Sequence, residues 1–153
     1  MYRGWKPTQF LASISNSVGS VLKPAGLEAS KDVLSTGYLK DPTDPTWNDD
    51  AGKKEWLAFM EKYFPDGDKT SSFTAYGYTV AQTVQQVLKQ CGDDLTRENI
   101  MKQASRLDME LPLLLPGIRL KTSPTDLRPI KQMRLVRFDG QRYVLFSDVI
   151  ESN

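Results

Sequence analysis

Residues 76–149 decide the fold: Tyr76-Gly77-Tyr78 near the head of a long helical pattern, then Leu115-Pro116-Gly117-Ile118, then Arg137-Phe138-Asp139-Gly140-Gln141. Over residues 73–90, Phe73, Gly77, Val80, Val84, Val87, Leu88 and Cys91 recur on one helical face. Gly92 supplies the stop. A further helix is expected from Thr96, burying Ile100, Met101, Ala104 and Leu107. Beyond Leu107 the pattern changes to alternation. Residues 118–121 read as a strand, Ser123-Pro124-Thr125-Asp126 as a turn, and residues 132–138 as a second strand through Met133 and Leu135. Asp139-Gly140 is a hairpin signal leading into residues 142–149.

Working back towards the start, residues 9–14 read as a strand ending in Ser15-Asn16-Ser17. A short helical stretch through Val18, Val21 and Leu22 is stopped by Pro24 and Gly26. Residues 32–39 form a second strand, in which β-branched Thr36 suits the pleat. The order is β-α-β, a crossover unit that lies in a parallel sheet. Asp41-Pro42-Thr43-Asp44-Pro45-Thr46 follows as a stiff connector, a plain loop or a hinge, since its prolines restrict the residues before them. Thr46 is expected to cap the next helix, with Asp49 and Asp50 near its positive end. That helix runs to about Phe64 and carries Trp56, Leu57, Met60, Tyr63 and Phe64 as a core stripe.

The 153 residues suffice for one ordinary domain with a core, and the net charge is +1. Lys and Arg do not gather into a run, so no nucleic-acid partner is expected. A single cysteine, Cys91, excludes an internal disulfide framework and reads as a packed thiol at a helix end. No apolar run approaches the roughly 20 residues of a membrane helix. Met1-Tyr2-Arg3-Gly4-Trp5-Lys6-Pro7 lacks the apolar region of a signal peptide.

Catalytic chemistry has little to stand on. Histidine is absent, which removes the commonest general base and metal ligand. One cysteine cannot build a zinc site of the usual spacing. There is no Gly-rich phosphate loop and no nucleophile elbow. The pairs Asp49-Asp50 and Asp93-Asp94 sit at expected helix starts, where they complement the helix dipole. An enzyme is not expected, nor a cofactor or metal.

Taken in order, several segments resemble one family. They are Gly4-Trp5-Lys6-Pro7 before a strand, the serine-rich end at residues 13–17, Tyr38-Leu39-Lys40-Asp41-Pro42, Trp56 to Tyr63, Tyr76-Gly77-Tyr78, Pro116-Gly117-Ile118 and Arg137-Phe138-Asp139-Gly140. Together they are similar to the type I periplasmic solute-binding proteins of ABC transporters, the leucine/isoleucine/valine-binding family, in its C-terminal portion only. The resemblance implies an α/β fold: the C-terminal part of two lobes closing on a solute, made of β-α-β, three helices and a terminal antiparallel hairpin. It assigns residues 1–38 to the end of the second lobe's sheet, 39–107 to the first lobe and 108–153 to the return. Tyr78 then matches an aromatic position facing the cleft, with Tyr76 as its neighbour. Ser13, Ser15 and Asn16 match the strand end that lines the ligand crevice. Alternatively, one tyrosine packs inside its lobe, and Asn16 or Ser17 merely caps the following helix.

Leucine-type binders place an acid near that strand end for the ligand's ammonium. No acid occurs between Gln9 and Leu27. The expected solute is therefore a carboxylate, an amide or an aromatic acid rather than an α-amino acid. The expected function is solute capture for an ABC transporter permease, by an incomplete chain whose parent is periplasmic. The alternative is a truncated paralogue acting as an interaction or sensor module. Helix faces left without their sheet, and an unpaired strand edge, are expected to drive self-association.

Overall fold

The computed structural model describes residues 7–152. Gly4, Trp5 and Lys6 of the opening motif lie outside the described residues. A mixed sheet forms one end of the molecule. Its first strands, β1 (Phe10–Leu11) and β2 (Leu34–Gly37), pair in parallel, with Phe10 opposite Leu34. Between them lie a 3-10 turn (Ser13–Ser15), a π turn (Val18–Leu22) and α1 (Lys23–Ala25). The crossover unit is therefore present, with shorter strands than the sequence suggested. Residues 13–15 curl instead of extending, and Pro24 sits inside α1 at its first turn rather than stopping a helix. Asp32 adopts a left-handed backbone, φ 67°, so the second strand starts at Leu34 and not at Asp32.

The connector holds a 3-10 turn, Pro45–Trp47, and α2 spans Ala51–Tyr63. Thr46 does not cap α2. Asp50 does, accepting from the Lys53 amide at 2.9 Å, because Thr46 is held inside the preceding turn by the Asp44 side chain. Trp56 and Met60 are buried as expected, but Tyr63 is 63 % and Phe64 54 % exposed. Helices α3 (Ser72–Cys91) and α4 (Arg97–Ala104) follow, the second capped by Thr96. A two-residue ladder closes the loop after α4: β3 (Asp108–Met109), too short for periodicity to reveal, pairs with β4 (Leu120–Lys121), the second half of the strand expected at residues 118–121.

β5 (Gln132–Phe138) returns to the sheet antiparallel to β2, placing Thr36 opposite Leu135 and Gly37 opposite Arg134. The turn at Asp139-Gly140 leads into β6 (Tyr143–Leu145), with Asp139 accepting from the Gln141 and Arg142 amides and Gly140 at φ 107°. β7 (Ile150–Glu151) pairs with the start of β5.

Three apolar clusters hold this arrangement. Val18, Leu22, Val33 and Phe138 pack under the sheet. Trp56, Met60, Ala75 and Leu113 join α2 to α3. The largest gathers Val87 and Cys91 with residues from 107 to 120, including Leu111, Leu114, Leu115 and Ile118. The leucines of residues 111–115, with Ile118, thus form a buried crossing segment, while Pro116 and Gly117 turn at the surface. Its amides need partners, and the neighbouring crossing supplies them: Leu115 N–H donates to Tyr38 O at 2.8 Å, and Lys40 N–H donates to Leu113 O at 2.9 Å. The Lys40 ammonium completes the junction by donating to Asp50 and to Pro112 O, each at 2.7 Å.

Gly52 lets the head of α2 sit directly on this segment. A Cβ there would meet Pro112 backbone carbon at 2.8 Å and Pro112 Cβ at 2.6 Å. Gly77, in the middle of α3, has nothing within 4 Å of the same construction. Gly52→Ala is therefore expected to lower stability by about 1–3 kcal/mol through overpacking. Gly77→Ala is expected to raise it by up to about 1 kcal/mol through helix propensity. Urea unfolding of the two variants checks this, and equal effects at both positions would refute the packing account.

Candidate functional site

Where the two crossing segments leave the sheet, they open a cavity of about 460 Å³. Its floor is the end of β2 and the residues beyond it, from Thr36 to Asp41, together with Leu115 and Val136. The hairpin contributes Arg142 to Leu145 on one side, the connector contributes Asp44, Thr46 and Trp47, and the head of α3 contributes Ser72, Phe73 and Tyr76. Ser13, Ile14 and Asn16 reach it from the carboxyl end of β1. This is where a parallel strand pair of an α/β sheet presents its crevice.

Five rings face the space: Tyr38, Trp47, Phe73, Tyr76 and Tyr143. Burial pushes the Tyr38 phenol above its ordinary value, and nearby Tyr76 adds to the shift. Burial, then the Asp41 charge, pushes Tyr143 up to about 12. Tyr143 Oη is buried and without a hydrogen-bond partner among the described residues. Both phenols therefore stay neutral at physiological pH. Flat apolar walls with a few polar points suit a small organic solute.

The charged groups are mostly paired. The Lys40 ammonium lies 5.4 Å from the Trp47 ring centre while held by Asp50 and Pro112 O. Burial acts to raise the Asp50 carboxyl, but bonds from Lys40 and from the Lys53 and Gly52 amides outweigh it and leave it below its ordinary value. Arg142 crosses from the hairpin to the connector, bonding Thr46 Oγ1 and lying 3.5 Å from buried Asp44. Asp41 Oδ1 accepts from the Thr43 amide at 2.7 Å and the Thr43 hydroxyl at 2.6 Å.

Among the residues expected from the sequence, Tyr76, Ser13 and Asn16 are brought together on this wall. Ser15 and Tyr78 are not among its lining residues. Tyr78 lies between α2 and α3, donating to Glu55 at 3.0 Å with its ring 4.9 Å from Phe59. Burial, reinforced by that bond and by the Glu55 charge, pushes its phenol up to about 12. Asn16 does not cap the following helix: its amide donates to Ser35 Oγ at 2.9 Å and Thr36 O at 3.1 Å, tying the strand end to β2. The cap is Ser17, whose hydroxyl accepts from the Ser20 amide at 3.4 Å. Sequence reasoning missed Trp47, Phe73, Tyr143, Asp41 and Arg142 as wall residues. The connector's acids beside Trp47, and Arg142 just past the hairpin turn, were the available signals.

The sequence profile of the periplasmic binding protein family matches residues 3–142. Solved structures of like fold include a possible leucine/isoleucine/valine-binding protein from Rhodopirellula baltica SH 1. That likeness has a TM-score of 0.70 at 15 % identity, over 94 % of this chain and 36 % of the other. A branched-chain amino acid ABC transporter protein from Thermus thermophilus, with bound valine, gives 0.71 at 15 % identity, over 97 % and 40 %. An ABC transporter permease from the Pseudomonas fluorescens group gives 0.61 at 18 % identity, over 94 % and 37 %. This chain thus spans 36–40 % of the length of these structures. No curated protein matches. Matched over nearly its whole length, the chain belongs to the periplasmic binding protein family and carries part of that family's α/β fold.

Proposed function

We propose that this chain forms one wall of the solute site in a two-lobed receptor that delivers a small organic solute to an ABC transporter permease outside the cytoplasm. The observation that carries this is the aromatic-lined cavity of about 460 Å³ at the segment crossing, in a member of a solute-binding family. A space of that size holds a small metabolite. In this reading residues 39–107 belong to one lobe, residues 1–38 and 108–153 to the other, and the crossing pair is the hinge. Solute-binding families act by capture and release, so no bond is made or broken in the site.

Tyr76 is the side chain we place against the solute, half-exposed at the cavity with Phe73 one turn before it. Ser13 and Asn16 flank it from β1. The sequence reading favoured a carboxylate, an amide or an aromatic acid because residues 9–27 contain no acid. The connector alters that premise, since Asp41 and Asp44 stand on the cavity wall.

One wall holds a solute weakly. Calorimetry on the 153-residue chain is expected to show no micromolar solute binding, whereas a receptor carrying both lobes is expected to be stabilised by its solute in a thermal-shift screen. In that receptor Tyr76→Ala is expected to cost roughly tenfold in affinity. Unchanged affinity on loss of Tyr76 would refute the placement of the site.

A second reading, an interaction module, is favoured by the outer face of α3. Phe73, Tyr76, Val80, Val84 and Leu88 are exposed there, and Lys89 is the one charged side chain in the 20-residue helix. Such a face associates in water. Light scattering is expected to find the isolated chain dimeric or larger, with Val84→Glu restoring the monomer. A monomeric unmodified chain would contradict this reading.

A further inference from the structure

The cavity wall carries two cations, Lys40 and Arg142, and two acids, Asp41 and Asp44. Because Asp50, off the wall, holds Lys40 and Asp44 lies beside Arg142, the Asp41 carboxylate is the acid left unmatched. Resting on the solute-capture reading above, we propose that Asp41 anchors an organic cation: the solute carries an ammonium group with at least one N–H, primary to tertiary, with no carboxylate to balance it.

Each cation on the wall already has acceptors. Lys40 Nζ is bound to Asp50 Oδ2 and Pro112 O. Arg142 is bound to Thr46 Oγ1, lies 3.5 Å from Asp44 and lies 4.0 Å from Asp139. The amide that could have held a carboxylate at the strand end, Asn16 Nδ2, is committed to Ser35 and Thr36 O. Lys40 and Arg142 keep spare N–H donors, but their charges are already offset by Asp50, Asp44 and Asp139, so an entering carboxylate meets cations that neighbouring acids have largely neutralised.

Asp41 is different. Its Oδ1 takes two neutral donors from Thr43, and no cation lies within 4.0 Å of it among the described residues. Its Oδ2 has no hydrogen-bond partner among the described residues. The two Thr43 bonds fix the carboxylate in place, so it is preorganised to accept from a guest. Around it stand rings whose faces attract cations: Trp47 already has the Lys40 ammonium 5.4 Å from its centre, and Tyr38, Tyr76 and Tyr143 line the same space. A fixed carboxylate beside several aromatic faces is the chemistry that recognises an ammonium and rejects an acid.

Three isosteric probes test this on the 153-residue chain: benzylamine, benzoate and benzyl alcohol, titrated at neutral pH while the Trp47 indole N–H resonance is followed. Benzylamine is expected to shift that resonance with the highest affinity of the three, and benzoate with the lowest. In Asp41→Asn, whose side-chain oxygen can still accept from Thr43, benzylamine affinity is expected to fall roughly tenfold while benzyl alcohol affinity is unchanged. Benzoate binding as tightly as benzylamine, or indifference of benzylamine to Asp41→Asn, would overturn the cation assignment and leave solute capture standing. Silence from all three probes, in this chain and in a two-lobed receptor carrying it, would remove both.

Discussion

The structure depends on one junction, where the crossing at residues 38–40 meets the buried crossing at residues 113–115. Residues 111–118 are almost wholly apolar in side chain, yet their backbone amides and carbonyls are as polar as any. Burying them requires partners close by. Tyr38 O and the Lys40 amide supply two, and the Lys40 ammonium supplies a third while also holding Asp50 at the head of α2. Removing that ammonium would leave Asp50 and Pro112 O without their shared donor, the costly way to disturb a partly buried ion pair. Gly52 belongs to the same constraint, since α2 can approach Pro112 only where a side chain is missing.

The cavity is a consequence of that junction. Two segments leaving a sheet side by side cannot fill the space between the hairpin, the connector and the head of α3. Rings from four separate parts of the chain close in on it. The internal pairing of Lys40 and Arg142 shapes the wall without a guest, so in the proposed site recognition falls to the aromatic faces and to the carboxylate left over. Structure and proposed function meet here: the bonds that hold the crossing together also decide which charges remain free.

Much of this was legible in the sequence. Asp139-Gly140 announced its hairpin, Thr96 the start of its helix and Gly92 a helix stop, because each is a local steric or hydrogen-bonding signal that tertiary packing rarely overrides. Elements set by distant contacts were less so. Thr46 and Asp50 are both competent caps, and only the Asp44 side chain at the Thr46 amide shows why the helix starts later. Residues 13–15 have strand-like composition, but Asn16 must reach Ser35 and Thr36, and the chain curls to let it. Tyr76 and Tyr78 sit two positions apart, hence on nearly opposite sides of α3. Choosing between them required knowing that Glu55 and Phe59 occupy the side where Tyr78 points. The cavity wall was the least legible part, because it is assembled from residues far apart in the chain.

The most direct test of solute capture at this crossing is a transferred nuclear Overhauser measurement, which suits weak binding to a single wall. Solute protons are expected to show contacts to the rings of Tyr76 and Trp47 and none to Tyr78. Contacts to Tyr78 and Phe59 without Tyr76 would contradict the account.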